Sequence, residues 1–171
     1  MTRQILQTAA SVRNAARELL QSIFASELVT PSRCLWIVSP WLRDVPVLDN
    51  STGAFAVVCP EFPRAEVRLS LVLRELATRG TNVVIATRPD AGNRQVFDAL
   101  ANHSPSHVAT FVERAALHLK GIVGDRYALL GSMNLTYNGV ERLTEMLIFQ
   151  TQPVQVQTLR IAFKEEYGGV V

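Results

Sequence analysis

Cysteine is nearly absent. The 171 residues include two, Cys34 and Cys59, too few for a disulfide framework. The three histidines, His103, His107 and His118, do not combine with them at a spacing that zinc requires, so no metal or other cofactor is expected. Long apolar runs are missing as well. None approaches the roughly 20 residues of a membrane-spanning helix, and the opening Met1-Thr2-Arg3-Gln4-Ile5-Leu6 lacks the continuous apolar core of a secretory signal. These absences lead to the expectation of a cytoplasmic protein without a membrane partner. An excess of one charge is also lacking: 17 Lys and Arg stand against 15 Asp and Glu, a net +2. That balance does not announce nucleic acid by itself, although an isoelectric point of about 8.8 permits anionic substrates.

What is present suits one core. Hydrophobic residues make up 48% of the chain, enough for a single domain over 1–171 but marginal for two. Ile5, Ala9, Val12, Ala16, Leu19, Leu20 and Ile23 recur near helical spacing, which predicts an amphipathic helix over about 3–26. A buried strand follows at 35–38. The connection over 41–64 is rich in Pro, Asp, Asn and Gly, and a loop of that length is usually functional or carries small strands of its own. Then come a helix over 66–79 closing at Gly80, a strand over 82–87 and a helix over 93–102. Strands over 107–113, 117–123, 127–130 and 143–150 precede a last helix over 154–167. His103 and His107 fall in a Ser/Pro-rich stretch that reads as a surface loop. The fold class is α/β, a mixed sheet flanked by helices on both faces.

The most informative string is His118-Leu119-Lys120, followed by Asp125 and by Gly131-Ser132-Met133-Asn134. In a strand, residues i and i+2 share a face. His118 and Lys120 therefore point one way, and Ser132 and Asn134 form a second such pair. Two neighbouring strands joined by a tight turn would converge an imidazole, an ammonium, a hydroxyl and a carboxamide on a phosphoryl group. A lone histidine in a half-apolar strand is more often structural than catalytic, and Asp125 before Arg126 is an ordinary turn residue. The co-occurrence of the set favours chemistry. Glu145 lies on the face shared by Leu143, Leu147 and Phe149, where a carboxylate needs a partner. His118 is the partner this reading selects.

The string resembles the signature of the phospholipase D superfamily, H-x-K-x4-D-x6-G-S-x-N, with one departure: five residues rather than six separate Asp125 from Gly131. Glu145, eleven residues past Asn134, stands where members often place the acid that hydrogen-bonds the nucleophilic histidine. The run Cys34-Leu35-Trp36-Ile37-Val38 into Ser39-Pro40-Trp41-Leu42 is similar to the family's first strand and its Ser-Pro-aromatic exit.

This resemblance implies a phospholipase D-like fold and a phosphodiesterase. His118 would be the nucleophile that becomes a phosphohistidine. Lys120, Ser132 and Asn134 would bind the phosphate oxygens, Glu145 would hold the imidazole, and Asp125 would support the site. One histidine cannot both attack phosphorus and protonate the opposite leaving group in the same step. Because the motif occurs once, a homodimer with a composite site is expected, and no metal is needed.

The substrate is less constrained. A nuclease is favoured, with Arg64, Arg79, Arg88, Arg94, Arg114 and Arg126 available to track a phosphate backbone. More weakly, residues 35–50 are similar to phospholipase D-like proteins found with bacterial DNA-modification and phage-defence systems, which would make DNA the substrate and other defence proteins partners. The competing readings are a phospholipase or small-molecule phosphodiesterase, and a nucleic-acid-binding assembly module of low intrinsic activity.

Overall fold

The computed structural model describes residues 1–8, 15–101 and 109–171. His103 and His107, with the surface loop expected around them, lie outside the described residues. In chain order the elements are β1 (Thr2–Gln7), α1 (Ala15–Val29), β2 (Cys34–Val38), β3 (Pro46–Asp49), β4 (Glu66–Arg68), α2 (Leu69–Thr78) and β5 (Asn82–Thr87). There follow α3 (Ala91–Ala101), β6 (Ala109–Glu113), β7 (Gly121–Val123), β8 (Ala128–Gly131), α4 (Tyr137–Glu141), β9 (Glu145–Gln150) and α5 (Pro153–Tyr167).

Strand β2 explains why the fold has two covered faces. All five of its side chains are buried, and alternation sends them to opposite sides. Leu35 and Ile37 join a cluster with Leu20 and Phe24 of α1, Leu73 and Leu76 of α2, and Val96 and Leu100 of α3. Cys34, Trp36 and Val38 join a second cluster, which Phe163 and Tyr167 of α5 close. Fully burying an apolar side chain of this size contributes about 1.5–3 kcal/mol, so these two layers hold the sheet between helices.

The main sheet has the order β1-β9-β8-β7-β2-β5-β6. Pairs β2–β5 and β5–β6 are parallel, whereas β2–β7, β7–β8, β8–β9 and β1–β9 are antiparallel. The expected mixed α/β architecture is therefore present.

Several elements differ from the sequence expectation. Residues 2–7 form a strand rather than the start of a helix over 3–26, and the helix begins at Ala15. The exposed edge of β9 pairs with β1 over six residues, Thr2↔Gln150 to Gln7↔Glu145. The buried Gln7 then marks the change of structure: its Nε2 donates to the Val140 carbonyl at 3.0 Å and its Oε1 accepts the Ala16 N–H at 2.9 Å, satisfying a donor in the first turn of α1.

The helix expected over 66–79 starts three residues later, because 66–68 pair with β3 in a small two-stranded sheet. The strand expected over 117–123 is confined to Gly121–Val123. Short helix α4 was not foreseen; Thr136 caps it by accepting the Gly139 N–H at 3.2 Å.

Candidate active site

The register of the sheet gathers the motif at one end. Gly121 pairs with Val38 on one side and Leu130 on the other, and Gly131 pairs with Leu147. Residues just before β7, just after β2 and β8, and at the start of β9 are therefore neighbours. This end carries the carboxyl ends of β2 and β5, next to the point where the parallel half meets the antiparallel half. Ligands of open α/β sheets usually bind outside the carboxyl ends of the strands.

His118, Lys120, Ser132 and Asn134 line one cleft of about 600 Å³, with Leu119 and Met146 at its apolar wall. The Lys120 ammonium lies 3.5 Å from Nδ1 of His118 and donates to the His118 carbonyl at 2.6 Å. His118 and Lys120 thus share a face although 117–120 is not regular strand. Burial pushes the Lys120 amine below its ordinary pKa, the nearby Arg88 guanidinium pushes the same way, and Glu145 opposes them.

Gly131 explains the Gly-Ser pair. Its φ is +153°, and a β-carbon there would sit 2.0 Å from the Met146 carbonyl oxygen. The close approach lets the Ser132 N–H donate to that oxygen at 3.0 Å. The Ser132 hydroxyl then accepts the Met146 N–H at 3.0 Å and donates to the carboxylate of Glu145. The β7–β8 turn of residues 124–127, closed by Gly124 N–H to Tyr127 carbonyl at 3.0 Å, still delivers Ser132 and Asn134 to the cleft despite the shorter Asp125–Gly131 spacing.

Two residues differ from the sequence reading. Glu145 is buried as expected, but its hydrogen-bond partner is Ser132; among the described residues the His118 ring has its polar contact with Lys120. Asp125 lies at the opposite end of the sheet. It accepts the Arg33 N–H at 3.0 Å, just before β2, whereas the cleft lies just after it. Five strand residues separate the two ends by about 17 Å. Asp125 there pairs with the fully buried Arg160. Burial pushes its carboxyl pKa up, but the Arg33 N–H and the Arg160 guanidinium outweigh this and hold it below the usual value.

Of the six arginines proposed to track a backbone, Arg88 reaches the site, donating to the Leu117 carbonyl at 2.7 Å. Arg126 belongs to the Asp125 end, Arg64 lies exposed against Gly53 in the 41–64 connection, and Arg79, Arg94 and Arg114 are paired with Glu75, Asp98 and Glu166. Ser39 has a role that its sequence context does not assign. Its hydroxyl accepts the Leu135 N–H at 3.1 Å, donates to the Trp41 carbonyl at 2.8 Å and lies 3.5 Å from Oδ1 of Asn134. The Ser-Pro turn after a fully buried strand was the signal that could have found it.

Among the described residues, Cys59, Glu61 and Glu75 bring possible ligand atoms within 4.8 Å of one another. The Arg79 guanidinium already bonds Cys59 and Glu75, which makes the group an arginine cluster rather than a cation site. No helix among the described residues is long and apolar enough to cross a membrane.

A family model described as "Cardiolipin synthase, PLD-like domain" matches residues 45–167. The chain belongs to that family. This phospholipase D-like domain is similar in fold to Nuc, a phospholipase D family member from Salmonella typhimurium, at a TM-score of 0.60 and 14% identity, covering 95% of this chain and 93% of that one. It is also similar to NucT from Helicobacter pylori, at a TM-score of 0.54 and 13% identity over 96% and 95% of the two chains. Polyphosphate kinase from Porphyromonas gingivalis matches 96% of this chain with 25% of its own length, at a TM-score of 0.60 and 11% identity. No curated protein matches the sequence. At these identities the structural likeness is one of fold, and the phospholipase D-like family rests on the match over residues 45–167.

Proposed function

We propose that this phospholipase D-like domain hydrolyses phosphodiesters, acting as a nuclease through a phosphohistidine formed on His118. The observation that carries the reading is the single cleft where His118, Lys120, Ser132 and Asn134 meet. An attacking imidazole forms a P–N bond while the P–O bond to the leaving alcohol breaks, and water later displaces the phosphoryl group from the ring. Lys120 supplies positive charge and Asn134 a hydrogen-bond donor to the non-bridging oxygens. Ser132 keeps its hydroxyl on Glu145, so its part is to fix the cleft wall. Glu145 acts through that serine and through its field on Lys120 rather than by holding the imidazole directly.

The leaving alcohol needs an acid opposite the nucleophile. In a two-fold dimer the partner's His118 takes that role and then accepts the proton of the attacking water. Leu119 and Met146, 43% and 41% exposed beside the cleft, offer apolar surface for the facing subunit. DNA is favoured as substrate by the similarity of residues 35–50 to proteins of bacterial DNA-modification and phage-defence systems, in which other defence proteins would be partners. The cationic and amide donor set suits chemistry without a metal, because a divalent cation would need several oxygen ligands converging on one point.

The test is hydrolysis of single-stranded DNA, duplex DNA, RNA, a chromogenic phosphodiester and phospholipid by the purified protein in EDTA. Cleavage of nucleic acid that survives EDTA, is inhibited by vanadate and disappears in His118→Ala is expected. Strict dependence on magnesium, or full activity in His118→Ala, would overturn the reading.

A further inference from the structure

Trp41 and Tyr137 keep 41% and 53% of their surface exposed, and both line a second cleft of about 450 Å³. Asn134 belongs to the walls of both this cleft and the His118 cleft, so the two meet there. Each aromatic ring is backed by a guanidinium: Arg88 lies 5.9 Å from the Trp41 ring centroid and Arg142 lies 5.0 Å from that of Tyr137. Among the described residues, neither arginine forms an ion pair with a carboxylate. Of the charged side chains, Lys120 and Arg43 line the two clefts, Arg43 paired with Asp90 at 3.1 Å, and among the described residues no carboxylate lines either wall.

The Trp41 end is built rather than loose. Asn93, fully buried, donates from Nδ2 to the Pro40 and Arg88 carbonyls, both at 2.9 Å, and accepts the Leu42 N–H at 2.7 Å. It clamps the segment before and after Trp41 to the residue whose guanidinium backs the ring. Arg88 in turn bonds the Leu117 carbonyl, next to His118. The aromatic platform is therefore tied to the segment that presents the histidine.

Resting on the phosphodiesterase reading, we propose that this second cleft takes an unpaired nucleotide strand, with successive bases stacked on Trp41 and Tyr137 while a phosphate sits at His118. Flat rings backed by cations suit nucleobase faces and the phosphates between them. A duplex hides those faces within its own stack. An acyl chain would instead favour an enclosed apolar channel, which a cleft lined by Arg43, Asn134, Thr136 and Asn138 does not provide.

The chain has two tryptophans, and Trp36 is fully buried while Trp41 is exposed, so tryptophan fluorescence reports on the platform directly. His118→Ala protein is titrated with short oligothymidylate, oligouridylate, a duplex of equal length and phospholipid vesicles. Saturable quenching by the single strands is expected, with weaker binding and little quenching by duplex and none by vesicles. The two single-strand arms decide between deoxyribose and ribose. Trp41→Ala and Tyr137→Ala should each weaken single-strand affinity, measured with a labelled oligonucleotide, by about tenfold, and Trp41→Phe should restore most of it. Unchanged affinity in both alanine variants, equal quenching by duplex, or quenching by vesicles would overturn the proposal. Wild-type protein that binds and quenches without cleaving would remove the hydrolase reading and leave this one standing; cleavage without quenching would do the reverse.

Discussion

The Ser132 hydroxyl donates to the buried carboxylate of Glu145 and accepts the N–H of Met146 at 3.0 Å, so one side chain links the motif to the adjacent strand. Ser132→Ala leaves Glu145 buried without that donor, and the expected loss is about 1–3 kcal/mol of stability, read from urea unfolding. Glu145→Gln keeps the shape but removes the charge facing Lys120. Its activity should fall by about tenfold to a hundredfold, the size of effect typical of a group that acts through another. Unchanged activity in Glu145→Gln would remove the carboxylate from the catalytic machinery.

Asp125 is expected to act on stability rather than chemistry. Arg160 is 1% exposed, and Asp125→Ala strands it without its carboxylate. Loss of one member of a buried pair costs about 3–5 kcal/mol; the lower end applies because Asp125 is itself 22% exposed. Its carboxyl pKa is held below the usual value. The stability it contributes is therefore complete above the unfolded pKa of about 4 and is lost as pH falls through the folded pKa. Urea midpoints measured between neutral and acid pH should show this loss in the wild type, and its reduction in Asp125→Ala. The folded variant should keep its activity. Loss of activity at undiminished stability would return Asp125 to the active site.

Gly131→Ala should be among the most damaging single changes. The added methyl meets the Met146 backbone oxygen at 2.0 Å, and φ of +153° disfavours any side chain. Either β8 leaves β9 or the Ser132 N–H loses its acceptor. A large drop in melting temperature, or insoluble protein, is expected; a variant as stable as wild type would show that the close approach is wrong.

The convergence of His118, Lys120, Ser132 and Asn134 was legible because they lie in one short string, and bringing them together needs only a hairpin. The buried strand at 35–38 was equally legible, since its apolar run has both faces covered. Asp125 was not. Which end of a strand a turn occupies depends on the neighbouring strand, and here β2 sets Arg33 rather than Ser39 beside it. The burial of Glu145 could be read from its apolar neighbours, but its partner depended on the backbone approach at Gly131. Strand β1 was hidden because its stability resides in pairing with β9, about 140 residues away, while Ile5 also fits a helical face. The α4 turn that presents Tyr137 is too short for periodicity to register, and so the aromatic cleft was missed.

Subunit mixing tests the composite two-histidine site most directly. Wild-type and His118→Ala subunits are unfolded together in equal amounts, refolded and assayed for phosphodiester cleavage, with light scattering to establish that dimers form. Random pairing makes about a quarter of the dimers fully wild type, so activity should fall to about a quarter of that of the same total protein as wild type. Activity of about one half, or full specific activity in a strictly monomeric protein, would show that each subunit works alone and contradict the shared site.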